Sequence, residues 1–366
     1  MSPAIAVSKL HKRFPNRILF VAPAVYSGLT QRHQALAVGL SRQGFQVDYI
    51  DPIKAPGFDL SLRDISPTLR VFSLSVPFRF SRSPSLQRIS NRFALTILAK
   101  NRFLDASHTL LWIADPATAS FSRLKWSFQV YDRCDRHGCF PGQNPRVWAS
   151  YEKAIYDESD LIFASSPALF TDIRRSRRAN CFLIPNAVNA SWISSTRDDK
   201  PEFPPLKIVS SGAHYEWIDF DWLEQLCRDP RVEMNVAGTG RGKRFKHFTA
   251  NRNVKFHGFL SSEPLMKLLD ACHVGIVPFK AELLTSAVDP IKVYEYAARG
   301  LAIWGTDVAG LREHPFVDRA ASRPGELIDS AFNGSWRGMR VRTRRESIPT
   351  WDDRVEDIMH AFAEIA

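Results

Sequence analysis

Short, continuous apolar runs alternate along this chain with longer stretches whose apolar positions recur every three or four residues. Arg17–Pro23 (RILFVAP) reads as a strand covered on both faces, because an unbroken apolar run lacks the alternation of a half-exposed one. A loop, Ala24–Leu29, follows and contains Gly28. Thr30 is placed to cap a helix over Gln31–Gln43, with Leu36 and Leu40 on one face and Gly44 as the stop. Gln46–Asp51, Thr109–Ala114, Phe128–Asp132, Leu161–Ser165 and Cys181–Pro185 repeat the strand pattern, with helical stretches between them. This alternation predicts a doubly wound parallel sheet.

The pattern breaks after residue 186. Residues 187–205 are polar, include Thr196–Lys200 (TRDDK), end in Pro204-Pro205, and read as a linker. It then restarts. Leu206–Ser211, Val232–Ala237, Val254–His257, Val274–Val277 and Leu301–Trp304 read as strands. Asp219–Arg228, Ser262–Ala271 and Pro290–Arg299 read as helices. Trp351–Ile365 is one amphipathic helix. The expected organisation is therefore a Rossmann-like α/β domain over 1–186, a linker over 187–205, a second such domain over 206–348, and a C-terminal helix in 349–366.

Charge changes this picture. Residues 1–190 hold 25 Lys and Arg against 13 Asp and Glu, whereas residues 191–366 hold 24 against 25. The excess of positive charge thus belongs to the first domain, which should attract phosphates or anionic surfaces. It concentrates between Ile65 and Leu104, where seven basic residues (Arg70, Arg79, Arg82, Arg88, Arg92, Lys100, Arg102) meet no acid. Leu86, Ile89, Phe93 and Ile97 recur there at helical spacing, with Phe78 and Phe80 just before them. A solvated helix face is the plain reading. The preferred one is an acceptor-binding surface against an anionic membrane. Nucleic acid is not expected as a partner, since no recognition motif accompanies the charge. The longest apolar run, Ile18–Tyr26, is about half of a membrane span. Five scattered cysteines read as reduced thiols, and the chain as a cytoplasmic protein.

The most informative segment is Asp289-Pro-Ile-Lys-Val-Tyr-Glu-Tyr-Ala-Ala-Arg-Gly300. Asp289 suits an N-cap, Pro290 the first helical position, and Gly300 the stop. Lys292 opposes the helix dipole in the first turn, a placement that makes sense when an anion arrives at the helix end. Glu295 lies one turn on, on the face of Ile291 and Lys292, where a carboxylate can accept two vicinal hydroxyls. The plain alternative is a surface Lys–Glu pair.

The stretch DPIKVYEYAARGLAIWGTDVAGLREH resembles the signature of family 4-like glycosyltransferases and the equivalent stretch of xanthan-type glucuronosyltransferases. The resemblance runs through about residues 17–315. It implies a GT-B fold, with two Rossmann-like domains facing a cleft and the C-terminal helix packing back towards the N-terminal domain. It implies a sugar moved from a nucleotide diphosphate-sugar donor, with no cofactor. No Asp-x-Asp of the metal-dependent transferases stands at a strand end, so no metal is expected. Lys292 is then expected on the diphosphate and Glu295 on the ribose. The glutamate that many members carry eight residues earlier is Ala287 here. By the same resemblance Gly212, in SSGAHYEWID, lets the backbone approach the phosphates, His214 or Tyr215 flanks the cleft, and Phe279, in HVGIVPF, touches the base or ribose. Gly28 is expected at the donor diphosphate and Arg32 on an acceptor phosphate.

YDRCDRHGCF (131–140) follows a strand, at the sheet edge where such folds build active sites. It resembles the segment that supplies the base in the glucuronosyltransferases. Asp135 matches that base, and His137 is its rival. Cys134, His137 and Cys139 invite a zinc reading, but no second ligand pair stands nearby. The expected acceptor is a lipid-linked saccharide in exopolysaccharide or cell-envelope assembly. The rival readings are a sugar-nucleotide epimerase of the same fold and a non-catalytic anion or nucleic-acid binder. The signature helix favours transfer.

Overall fold

The computed structural model describes residues 14–28, 30–176, 180–193, 202–334 and 348–365. Much of the expected linker, residues 194–201, lies outside them. The chain forms two compact units. One runs to Pro185 and takes in the chain from Trp351 onward; the other is Asn186–Thr350.

The first unit is built on β1 (Arg17–Val21), β2 (Gln46–Ile50), β3 (Leu60–Ser66), β4 (Leu69–Leu74), β5 (Thr109–Ile113), β6 (Phe128–Arg133), β7 (Leu161–Ala164) and β8 (Cys181–Leu183). Their order is β3-β4-β2-β1-β5-β6-β7-β8. All neighbours are parallel except the β3/β4 hairpin. Its helices are α1 (Arg32–Arg42), α2 (Pro84–Lys100), α3 (Pro145–Glu158) and α4 (Pro167–Ser176). The chain reverses direction across the sheet between β1 and β5, the point where such sheets bind ligands. Tyr49, Phe20 and Trp112 share one register across β2, β1 and β5 and stack 5.2–5.6 Å apart, so one aromatic ladder fixes three strands. Helix α1 is capped by Gln31 rather than Thr30, because the Gln34 carboxamide accepts the Gln31 N–H at 3.0 Å.

The second unit has β9 (Leu206–His214), β10 (Val232–Gly240), β11 (Val254–Phe256), β12 (Val274–Val277), β13 (Ala302–Gly305) and β14 (Arg319–Ala320), in the order β11-β10-β9-β12-β13-β14. Around them lie α5 (Phe220–Arg228), α6 (Gly242–Thr249), α7 (Ser262–Asp270), α8 (Ile291–Ala298), α9 (Ala309–Arg312) and α10 (Pro324–Phe332). The direction change falls between β9 and β12. Both sheets are therefore Rossmann-like and doubly wound.

The C-terminal helix α11 (Trp351–Ile365) belongs to the first unit. Phe362 is fully buried among Phe14, Phe45, Phe128 and Phe163. The Val355 side chain of α11 fills the space left by Gly39 on α1, where a Cβ would lie 2.3 Å from it.

Candidate active site

In the second unit the chemistry gathers where β9 and β12 end. Gly212 (φ +102°) and Gly238 (φ +123°) stand opposite one another on β9 and β10. A Cβ at Gly238 would lie 2.0 Å from the Gly212 carbonyl oxygen, so only glycine allows this pairing. Gly238→Ala is expected to cost about 3 kcal/mol or more, from left-handed backbone strain plus overpacking. Thermal unfolding reads this, and an unchanged melting temperature would contradict the close approach.

Helix α8 is pinned beneath the same turn. The Ser211 N–H donates to the Tyr296 hydroxyl at 2.8 Å, and the missing side chain of Gly275 leaves room for the Tyr296 ring. This anchoring brings Lys292 over Gly212. A Cβ at Gly212 would lie 3.4 Å from Lys292 Nζ, and Nζ sits 5.6 Å from the centroid of the Phe279 ring. Lys292 and Glu295 are both half-buried. Among the described residues neither side chain makes a hydrogen bond or ion pair. Burial lowers the Lys292 ammonium to about 8, with Glu295 opposing the shift. Burial raises the Glu295 carboxyl to about 7, with Lys292 pulling it back. A cation held over glycine backbone with no bonded counter-ion is a receptor for an anion. Ile291 is half-buried beside it in the first turn.

Two residues assigned by sequence have other work. Asp289 is not the cap of α8, whose N-cap is Pro290. Its buried carboxylate instead accepts from the Asn186 N–H, from the Tyr294 hydroxyl at 2.9 Å, and pairs with His314 Nε2 at 3.1 Å. His214 is wholly buried, 2.9 Å from Ser210 Oγ and stacked on Phe245. Burial and the nearby Lys292 charge lower it to about 3, so it is a neutral packing residue rather than a ligand-facing one.

In the first unit the loop after β6 is held from below. Arg133 pairs with Glu152 on α3 at 3.1 Å, and Arg136 pairs with Asp172 on α4 at 3.0 Å. Ser165, at the end of β7, donates to the Cys134 carbonyl at 2.9 Å. These contacts fix residues 133–136 and present Asp135. Its side chain is half-buried and has no hydrogen bond or ion pair among the described residues. Burial raises it to about 7. His137 stacks on Trp148 at 5.5 Å, and burial lowers it to about 4. The His137 ring is thus neutral near pH 7, and of the two groups Asp135 has the basicity matched to proton transfer there.

Arg32 is placed differently from expectation. It is 2% exposed, and its guanidinium grips Asp132 at 2.7–3.0 Å and the Ile184 carbonyl at 2.8 Å. It is an internal tie between α1, β6 and the chain near residue 184, not an open phosphate ligand. Gly28 lies in an exposed turn closed by its N–H to the Val25 carbonyl at 3.0 Å.

The sequence reading passed over His33, which is buried beside Asp132. Burial lowers it to about 4, and its Nδ1 has no hydrogen-bond partner. Its place in the first turn after β1, at the same sheet edge as the end of β6, was the available signal. His33, Asp132 and Cys134 bring ligand atoms within 4.8 Å of one another, a different trio from the Cys134, His137 and Cys139 that sequence proximity offered. They fit a metal poorly, since the Arg32 guanidinium already takes the Asp132 carboxylate and would repel a cation.

Residues 212–329 match the family model "Glycosyl transferases group 1". A search of the curated proteins finds no match. Among solved structures, Anabaena HepE in complex with UDP and glucose is similar with a TM-score of 0.68 and 13% identity, over 95% of this chain and 99% of its own. WaaG, a glycosyltransferase involved in lipopolysaccharide biosynthesis, matches with a TM-score of 0.59 and 13% identity, over 94% of this chain and 95% of its own. An Escherichia coli structure described as trehalose-6-phosphate bound with UDP-2-fluoro glucose matches with a TM-score of 0.59 and 9% identity, over 96% of both chains. The chain thus has the two-domain GT-B fold of these structures, and the stretch that carries Gly212, Phe279, Lys292 and Glu295 matches the glycosyltransferase group 1 model.

Proposed function

We propose that the protein is a metal-independent glycosyltransferase that moves a hexosyl or glucuronosyl group from a nucleotide diphosphate-sugar. One observation carries this reading. Lys292, without a bonded counter-ion, lies over the left-handed Gly212 backbone inside the segment that matches the family model. The donor diphosphate would sit there, Glu295 would accept the ribose hydroxyls, and Phe279 would bear on the nucleoside. UDP in the HepE complex makes uracil the first base to test.

In the reaction the acceptor hydroxyl oxygen forms a bond to the anomeric carbon. The bond from that carbon to the diphosphate breaks, and Asp135 takes the hydroxyl proton. Lys292 meets the charge that develops on the leaving diphosphate, the electrostatic task that a metal performs elsewhere. The acceptor would be a lipid-linked saccharide in exopolysaccharide or cell-envelope assembly, used at the inner face of the membrane. The positive first domain and the likeness to WaaG support this. Among the described residues no helix is long and apolar enough to cross a membrane, so attachment would be peripheral.

Calorimetry against a panel of sugar nucleotides, followed by transfer to saccharide acceptors, tests the reading. Binding of a nucleoside diphosphate-sugar with acceptor-dependent release of the diphosphate is expected. Conversion of the sugar nucleotide into its epimer without any acceptor would reassign the protein as an epimerase. Transfer should also survive EDTA. Full loss restored by magnesium or manganese would overturn the metal-independent mechanism.

A further inference from the structure

We propose that the outward face of α2, with Phe58 and Phe80 beside it, is the surface that docks the protein on an anionic membrane. This deepens the lipid-linked-acceptor reading but stands on different residues from the donor site.

Helix α2 is packed with its polarity reversed. A helix on a soluble domain normally buries its apolar stripe and shows its polar face. Here Gln87, Ser90 and Asn91 are buried, together with Ala94 and Leu98. The polar groups are held by a ladder of hydrogen bonds. Gln87 Oε1 accepts the Phe80 N–H at 3.0 Å, and Gln87 Nε2 donates to Asn91 Oδ1 at 3.0 Å. Asn91 Nδ2 in turn donates to the Ala117 carbonyl at 3.0 Å and to Ser120 Oγ at 2.8 Å. The apolar stripe therefore points away from the domain. Leu86, Ile89 and Phe93 are 41%, 44% and 36% exposed, and Phe58 and Phe80 are 66% and 51% exposed. Phe58 meets Phe93 edge-on at 6.1 Å, which joins the loop and the helix into one patch.

The charge around this patch is also sorted. Two of the seven basic residues in the acid-free stretch serve the interior: Arg70 pairs with Asp48 at 2.7 Å and Arg79 with Asp115 at 2.8 Å. The other five, Arg82, Arg88, Arg92, Lys100 and Arg102, are exposed and make no ion pair among the described residues. An apolar stripe edged by unpaired cations, with no acid in that stretch, complements a surface where acyl chains lie under anionic headgroups. Nucleic acid would use the cations and leave Leu86 and Ile89 in water.

The test is co-sedimentation of the full chain with phosphatidylcholine vesicles and with vesicles that also contain phosphatidylglycerol. Binding to the anionic vesicles alone is expected, weakened by salt because exposed charges are screened over about 8 Å at physiological ionic strength. Arg88→Gln/Arg92→Gln should lower partitioning about twenty-five-fold, at about fivefold per basic residue near the surface. Leu86→Ser/Ile89→Ser should lower it as well. Both pairs are solvent-facing, so thermal stability and nucleotide-diphosphate affinity should be retained. A loss of donor affinity on Lys292 substitution with vesicle binding intact, or the reverse, separates this inference from the catalytic reading. Equal binding to neutral and anionic vesicles, or no response to either variant, overturns it. Self-association abolished by Leu86→Ser/Ile89→Ser would assign the patch to a second copy instead, and salt-sensitive binding of oligonucleotides lost in Arg88→Gln/Arg92→Gln would assign it to nucleic acid.

Discussion

Asp135→Asn is expected to lower kcat about 10²–10⁴-fold while donor affinity stays near normal. The amide keeps the size of the carboxylate but cannot take the acceptor proton. Burial raises this carboxyl to about 7, from an ordinary value of 3.8. Wild-type turnover should therefore climb as pH passes about 7, where the base ionises. The same shift has a cost in stability. A carboxyl raised on folding contributes its full stability below the ordinary carboxylate range, and that contribution is lost as pH rises towards 7. Asp135→Asn should thus be more stable than wild type at pH 8, with the gap closing towards pH 4. The stability gain reports on burial and the rate loss on proton transfer, so the two are read independently. Near-normal turnover in Asp135→Asn, with a large loss in His137→Gln, would make the histidine the base despite its depressed basicity. Normal turnover in both would place the base outside this loop.

The second large effect is expected from Lys292→Ala, which should weaken nucleotide-diphosphate binding by about 1.5–3 kcal/mol, the range for a hydrogen bond to a charged group. Binding calorimetry at fixed pH measures it. A pH series adds a second readout. Lys292 is lowered to about 8 in the free protein, so the ammonium is lost as pH rises through that value. Wild-type donor affinity should fall above it, and the alanine variant should be flat there. On the acid side Glu295 protonates near 7, so an acid limb in donor affinity should vanish in Glu295→Gln, while the acid limb in turnover set by Asp135 remains. Unchanged affinity in Lys292→Ala would remove the donor site from α8.

Strands such as β1, β5, β7 and β12 were legible because their interiors are continuous apolar runs, a pattern that burial on both faces imposes. The β3/β4 hairpin was not. Residues of β3 are largely exposed, and a polar edge strand leaves little hydrophobic signal. Lys292 stood out by its place in the first turn of a helix, whereas Gly212 and Phe279 came from the family resemblance alone; in the fold all three lie close together. The misplaced residues share another feature. Arg32 and Asp289 were read from their neighbours along the chain, yet their partners lie 100 and 103 residues away, in Asp132 and Asn186. His214 came from the resemblance, as an alternative to Tyr215, and only the structure shows that it is buried. The reversed α2 is a related case. The apolar spacing announced a helix correctly, but periodicity alone does not say which side meets the protein.

The placement of α11 bears on how the molecule is made. The first domain is discontinuous, since residues 186–350 are inserted between most of it and its last helix. The inserted domain is contiguous and carries a hydrophobic core of its own. The first domain, although begun earlier, keeps the pocket around Phe14, Phe45, Phe128 and Phe163 uncovered until Phe362 is synthesised. The second domain can therefore be complete before the first, the reverse of the usual order along a nascent chain. A chain stopped short of Trp351 would leave its damage at the opposite end, in the domain that was translated first.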